Sequence, residues 1–383
     1  MVAKHAARSE LDELRLLVLA ETLGGTGGIQ RSTLEVSREL HALGLEIHLA
    51  YAEGGELLSD WRGVASDLIE LGSTLLPRSE PVRSRARRRK AAKFARGREI
   101  GIVYSHSPRQ IELGYRTARS AGAAYVHHAR TSPPANPALQ GMIRQANALI
   151  SVSQSTLDEW IEHGAVPLHT FVVPNGVDLT VFHDISDTER VQVRATHRID
   201  ADSFLVGYFG RVSRRKGVQD LLEAFGNLRG ASAAHVELIV VGALDNSPQS
   251  RAPGQTVVGL DGAGVTSVGH VDRVAPLMAA CDVVVVPSHY EPFGRVAIEA
   301  LACGTPVLAS SVGGLTDILQ GSLGRHLFEP ENATDLTRAL LDVIDCPPNR
   351  KEMQERARHF SLGSTAAGVL EALTFASKGM GST

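Results

Sequence analysis

Two series of short, unbroken apolar runs, each alternating with helical patterns, constrain this chain more than any other feature. The first run is LRLLVLA at 14–20; ETLGGTGG follows, then IQRSTLEVSRELHALG, whose apolar positions recur at helical spacing and stop at Gly44. A run that is apolar at every position suits a strand buried on both faces. LEIHLAYA comes next, and GIVYSHS (101–107), AAYVHHA (123–129), ALISVS (148–153) and TFVVPNG (170–176) continue the series. Strand, helix, strand in that order implies a parallel sheet with right-handed crossovers. After a charged stretch near 184–200 the alternation restarts with FLVGYFGRV, GVQDLLEAFGNL and VELIVVGA, then TSVGHV, RVAPLMAAC, DVVVVPS and TPVLAS. ALDNSPQSRAPGQTVVGLDGAG, rich in Gly, Pro and Ser, reads as a loop.

The predicted fold class is therefore α/β, with two Rossmann-like domains whose parallel sheets face a central cleft. The 383 residues are enough for two cores, expected at 1–185 and 186–362, and the last helix, in 363–383, is able to pack back on the first domain. Ligands of open parallel sheets bind at the carboxyl ends of the strands, so the turns after residues 20, 209, 241 and 290 are expected to carry the chemistry.

Charge and composition exclude several classes. A formal net charge of -3 argues against a general nucleic-acid binder. The three cysteines, Cys281, Cys303 and Cys346, are odd in number and lack C-x-x-C spacing, so they read as small hydrophobes in a reducing compartment, and no metal is expected. No stretch approaches the roughly 20 apolar residues that span a bilayer. MVAKHAARSELDELR has no apolar signal-peptide core, so the expected location is the cytoplasm. RSRARRRKAAKFARGR, at 83–98, has nine basic residues and no acid; it reads either as an exposed helix or as a patch for weak, peripheral contact with an anionic membrane surface.

Three stretches carry candidate chemistry. In GGTGGIQ (24–30), Gly27 and Gly28 precede a helix, where bare backbone N–H groups can approach a phosphate. The dinucleotide fingerprint fails there because Gln30 stands where its third glycine belongs, and no Gly-Lys-Ser/Thr follows to make a P-loop. In FGRVSRRKG (209–217), Arg211 and Lys216 are five residues apart, a fork and a point charge able to clamp a diphosphate. In HYEPFGRVAIEALACGTPVLASSVGG (289–314), Glu291 precedes a helix and Glu299 lies inside it, on the face shared with Arg295. Carboxylates accept hydrogen bonds from sugar and ribose hydroxyls, and the N–H groups of Phe293 and Gly294 stand at the helix start.

Taken together, the two glutamates with seven residues between them, the GR…KG element, the GG loop, VPNGVD (173–178) and CDVVVVPS (281–288) resemble the retaining GT-B glycosyltransferases, family 4 in particular, over nearly the whole chain. The resemblance implies a GT-B fold and glycosyl transfer from a nucleoside diphosphate sugar, uridine first and guanosine second, to a hydroxyl of a small-molecule, glycan or lipid-linked acceptor. It implies no cofactor beyond the sugar nucleotide. By the same resemblance Glu291 would contact the donor sugar and Glu299 the ribose. Arg211 and Lys216 would bind the diphosphate, and Gly27 and Gly28 would approach it from the other domain. Phe293, Gly294 and Arg295 would line the pocket, and His270 and Val271, in VGHV, would meet the base. A histidine near the transferring sugar maps to His128 rather than His127, with Arg130 and Thr131 beyond it toward the acceptor. The alternatives are a sugar-nucleotide epimerase and an NAD-dependent oxidoreductase.

Overall fold

The computed structural model describes residues 14–25, 28–245, 257 and 259–379. They form two units, one of residues up to Gly176 together with Leu362 onward, the other Val177–Ser361.

In the first unit seven strands form one parallel sheet: β1 (Arg15–Thr22), β2 (Glu46–Glu53), β3 (Asp67–Glu70), β4 (Ile102–Ser105), β5 (Ala124–Ala129), β6 (Ala148–Ser151) and β7 (Thr170–Val172). Their spatial order is β3-β2-β1-β4-β5-β6-β7, with Leu17 of β1 opposite both His48 and Val103. The unbroken apolar run of β1 is explained by a core on each face. Leu16 and Val18 join one core, and Leu17 and Leu19 the other. β3, an edge strand with no buried residue, was not expected, because DLIE offers no long apolar run. Helix Leu362–Lys378 packs Val369, Ala372, Leu373 and Ala376 into the core that holds Leu16.

The second unit repeats the plan with β8 (Phe204–Phe209), β9 (Val236–Val241), β10 (Val265–Gly269), β11 (Val283–Val286), β12 (Val307–Ser310) and the short β13 (Leu327–Phe328). Their order is β10-β9-β8-β11-β12-β13, all parallel. The boundary expected at 185 falls instead after Gly176. Val177 donates its N–H to the carbonyl of Phe360 at 2.8 Å, and Asp184 pairs with Arg190 and Arg350 at 3.3 and 3.0 Å, which ties 177–185 to the second unit.

In each sheet the strand order changes direction once, between β1 and β4 and between β8 and β11. Connections leave such a switch point on opposite faces, so a crevice opens outside the carboxyl ends of those two strands. Most of the loop expected at 243–264 lies outside the described residues, as does Gly27. The basic stretch forms part of helix Pro81–Gly97, whose buried side is Ser84, Ala91, Ala92 and Ala95. Among the described residues no helix is long and apolar enough to cross a membrane.

Candidate functional site

The switch point of the second unit gathers the candidate charges. β8 ends at Phe209, and Arg211 follows with an exposed side chain; its carbonyl accepts from the Tyr208 hydroxyl at 2.6 Å. A short 3-10 turn, Arg214–Lys216, leads through Gly217 into helix Val218–Ala231. Gly217 has φ of +68°, and a Cβ there would lie 1.7 Å from the Pro287 carbonyl oxygen. The turn carrying Lys216 therefore rests on the backbone beyond β11, a contact that only glycine permits.

That contact brings Lys216 Nζ to 2.6 Å from Glu291 Oε2, with the side chains 29% and 16% exposed. Ser288 donates its hydroxyl to the same oxygen at 3.3 Å. A second glycine contact holds the acidic loop. A Cβ on Gly313 would lie 2.0 Å from the Glu291 carbonyl oxygen, which accepts the Gly314 N–H at 3.0 Å. The glycines after the two acids thus serve contacts between backbone segments of this chain.

Glu299 has a separate partner. Arg295 Nε and Nη2 each lie 3.2 Å from its Oε1, the i,i+4 pair that the helix Arg295–Ala302 dictates. Phe293 departs from the expected pocket lining. Its ring is 3% exposed and packs edge-on against Phe360 at 6.0 Å, so only its backbone is available to a ligand. The N–H groups of Phe293 and Gly294 find no acceptor among the described residues. His270 and Val271 follow β10 in a turn, where His270 is exposed with Nε2 3.5 Å from Asp272 Oδ1.

One pairing had no sequence signal. His289 Nε2 lies 2.5 Å from Asp220 Oδ2, while the His289 N–H donates to the Arg215 carbonyl at 3.0 Å. Sixty-nine residues separate the first two, so only the fold joins them.

In the first unit the two histidines of β5 point to opposite faces, as strand geometry requires. His127 Nδ1 is 2.8 Å from Ser105 Oγ and its ring packs 5.3 Å from Trp160. His128 Nδ1 is 2.6 Å from the Tyr104 hydroxyl and 3.4 Å from Arg130 Nη2. A guanidinium can only donate, so His128 Nδ1 acts as the acceptor and the proton resides on Nε2. Both rings are fully buried. Burial pushes His127 down to about 3, and burial reinforced by the Arg130 charge holds His128 well below the ordinary imidazole value. Both are neutral at pH 7.

Arg130 does not stand open toward an acceptor. It is 6% exposed and donates to Ser32 and Asn175 as well as facing His128. Thr131 accepts the Trp160 indole N–H on its carbonyl at 2.9 Å. A histidine without any motif around it, His106 beyond β4, does line a recess. This recess sits at the first unit's own switch point, between the end of β1 and the start of helix Gly28–Ala42. Gly28 begins that helix, and nothing lies within 4 Å of where its Cβ would be, so packing alone does not demand glycine there.

Comparison with known proteins places this geometry. Residues 189–360 match the family described as glycosyl transferases group 1, and residues 26–181 match glycosyltransferase family 4. A D-inositol 3-phosphate glycosyltransferase of Kineococcus radiotolerans is 31% identical over 72% of this chain and 71% of its own length. The chain belongs to the group 1, family 4-like glycosyltransferases. The namesake enzyme of Geodermatophilus obscurus is 28% identical over 93% of this glycosyltransferase and 86% of its own length. In fold, it is similar to Anabaena HepE, crystallised in complex with UDP, at a TM-score of 0.78 and 21% identity over 94% of this chain and 99% of the other. The two parallel-sheet units are those of a GT-B enzyme, and the epimerase and NAD-dependent alternatives are not favoured.

Proposed function

We propose that this glycosyltransferase moves a sugar from a nucleoside diphosphate sugar, UDP first and GDP second, to an acceptor hydroxyl, with retention at the anomeric carbon. The observation that carries the reading is the Lys216–Glu291 pair at the switch point of the second unit, with Arg211 exposed in the turn after β8 and Arg295–Glu299 on the following helix.

In this reading Lys216 and Arg211 hold the diphosphate and stabilise the charge that grows on it as the glycosidic bond breaks. Glu291 turns its free acceptor capacity to sugar hydroxyls, and Glu299 holds the ribose. The open N–H groups of Phe293 and Gly294 take an anionic oxygen at the helix start. His270 and Val271 lie on the turn that meets the base. Because protein cations neutralise the leaving group, donor binding needs no metal. Retention by double displacement requires a free carboxylate at the anomeric carbon. Glu291 is engaged by Lys216 and Ser288, which favours attack from the leaving-group face, the departing phosphate taking the acceptor proton. His128, neutral and buried, acts by position rather than charge. Uridine is put first because Anabaena HepE, which shares the fold, was crystallised with UDP.

The test is incubation with UDP-glucose, UDP-N-acetylglucosamine and GDP-mannose in EDTA, with and without an acceptor panel, followed by proton NMR of the anomeric signals. The expected result is acceptor-dependent release of one nucleoside diphosphate and a product of unchanged anomeric configuration. An inverted product overturns retention, and donor epimerised without acceptor overturns the transferase reading.

The basic helix adds a weak contact with anionic surfaces. Its apolar side is already used by the core, so no face remains to insert into lipid, while Arg83, Arg85, Arg88, Arg89 and Lys93 stay exposed.

A further inference from the structure

The recess at the first unit's switch point has a chemistry of its own. Its walls present mostly apolar surface, formed by Leu19, Leu23, Ile29 and Trp61 among others, and among the described residues no lysine or arginine lines it. Its charged group is Glu21, at the end of β1, whose Oε1 accepts the Ser107 hydroxyl at 2.6 Å. Arg109 lies 3.5 Å from the other carboxylate oxygen, but it is 64% exposed and outside the lining, so water screens it. His106 lines the same recess at 2% exposure, and neither ring nitrogen has a hydrogen-bond partner. A neutral imidazole offers one donor and one acceptor, which matches a hydroxyl, itself donor and acceptor. An ionised phosphate oxygen can only accept, and it would meet the Glu21 charge with no lysine or arginine among the described lining residues to offset it.

We propose that this recess binds the acceptor, and that the acceptor is a hydroxyl-bearing molecule with an apolar face and no phosphate. His106 and Glu21 take its hydroxyls, and Trp61 with the neighbouring aliphatic side chains covers its apolar face. This goes beyond the proposed function and rests on it. It also separates this chain from relatives named for inositol 3-phosphate. Glu21 is then the residue that sets acceptor charge.

The test uses Trp61 itself, one of two tryptophans in the chain. Tryptophan fluorescence of the full-length protein is followed during titration with two matched pairs: phenyl β-glucoside against its 6-phosphate, and myo-inositol against its 1-phosphate. Thermal stabilisation by UDP is measured on the same samples. The expected result is that a neutral probe binds at least about tenfold more tightly than its phosphate, the order of one partly screened like-charge contact. Trp61→Phe removes the signal. Glu21→Gln brings the two members of a pair within roughly threefold, since it keeps the shape and removes the charge. Ala20→Leu, which fills the recess, abolishes probe binding while stabilisation by UDP persists, showing a folded protein. Equal or tighter binding of the phosphates, binding that survives Ala20→Leu, or no probe binding beside intact UDP stabilisation each overturns the proposal. Loss of UDP stabilisation in the wild type strikes instead at the donor reading.

Discussion

The two units solve the same topological problem with opposite electrostatics. At the switch point of the second, Lys216, Glu291, Arg295 and Glu299 are half-buried in ion pairs that a polar ligand can exchange for its own contacts. At that of the first, burial keeps His106, His127 and His128 uncharged near the buried Arg130 guanidinium, and the recess lined by His106 presents mostly apolar surface with, among the described residues, one carboxylate. A charged, invariant chemical group such as a diphosphate suits the first kind of site. A ligand recognised by shape and hydroxyls suits the second.

The largest way to break this contrast is to disturb the backbone contact beneath it. Gly217→Ala sets a Cβ 1.7 Å from the Pro287 carbonyl at a left-handed φ. We expect roughly 3 kcal/mol of destabilisation in denaturant melts, confined to the second unit in hydrogen exchange. A melt unchanged from wild type would show that the turn is free to relax. Removing charge alone should spare the fold. Lys216→Ala is expected to lower kcat by about 10²- to 10³-fold, the usual effect of losing one preorganised charge-stabilising group, with a smaller fall in Tm from leaving Glu291, 16% exposed, without its cation. A loss of stability without loss of rate would make the pair structural.

The neutral histidines of the first unit give it a distinct pH response. Their folded values lie below the ordinary value of 6.5, so the unfolded chain binds more protons as pH falls beneath that value. The stability present above pH 6.5 is then lost toward the folded values, at up to about 1.4 kcal/mol per histidine per pH unit. Hydrogen exchange on β4 and β5 between pH 7.5 and 5.5 should accelerate more than on β8 and β11, since among the described residues only His326 is similarly lowered in the second unit. Equal acceleration in both sheets would contradict the contrast. The smallest effect is expected at helix Pro81–Gly97: weak binding to phosphatidylserine vesicles that disappears in about 0.5 M salt, where the Debye length falls below roughly 5 Å. Binding that survives salt would mean that an apolar face had inserted.

The two sites were also unequally legible in the sequence. The second unit's charges are local to named elements: GRVSRRKG sets Arg211 and Lys216, and the helix period alone puts Arg295 on Glu299. What joins Lys216 to Glu291 is not local; it depends on Gly217 and Gly313 as close-contact positions, which look like ordinary turn glycines until the backbone they touch is known. The alternation of buried runs indicated both sheets but missed β3 and β13, short edge strands whose few residues carry no periodic pattern. In the first unit the two-residue period of a strand is enough to put His127 and His128 on opposite faces. That Arg130 is consumed by Ser32 and Asn175, and that His106 and Glu21 line the recess, follows from strands far apart in the chain and left no motif to read.

The central claim is that the second unit's paired charges bind a nucleoside diphosphate without a metal. It is tested most directly by calorimetric titration of UDP and GDP, in EDTA, into the wild type and Glu299→Ala. The account predicts binding of one of the two to the wild type and roughly tenfold weaker binding to the variant, the scale of one hydrogen-bonded charged contact. Binding of neither nucleotide, or equal affinity in both proteins, would contradict it.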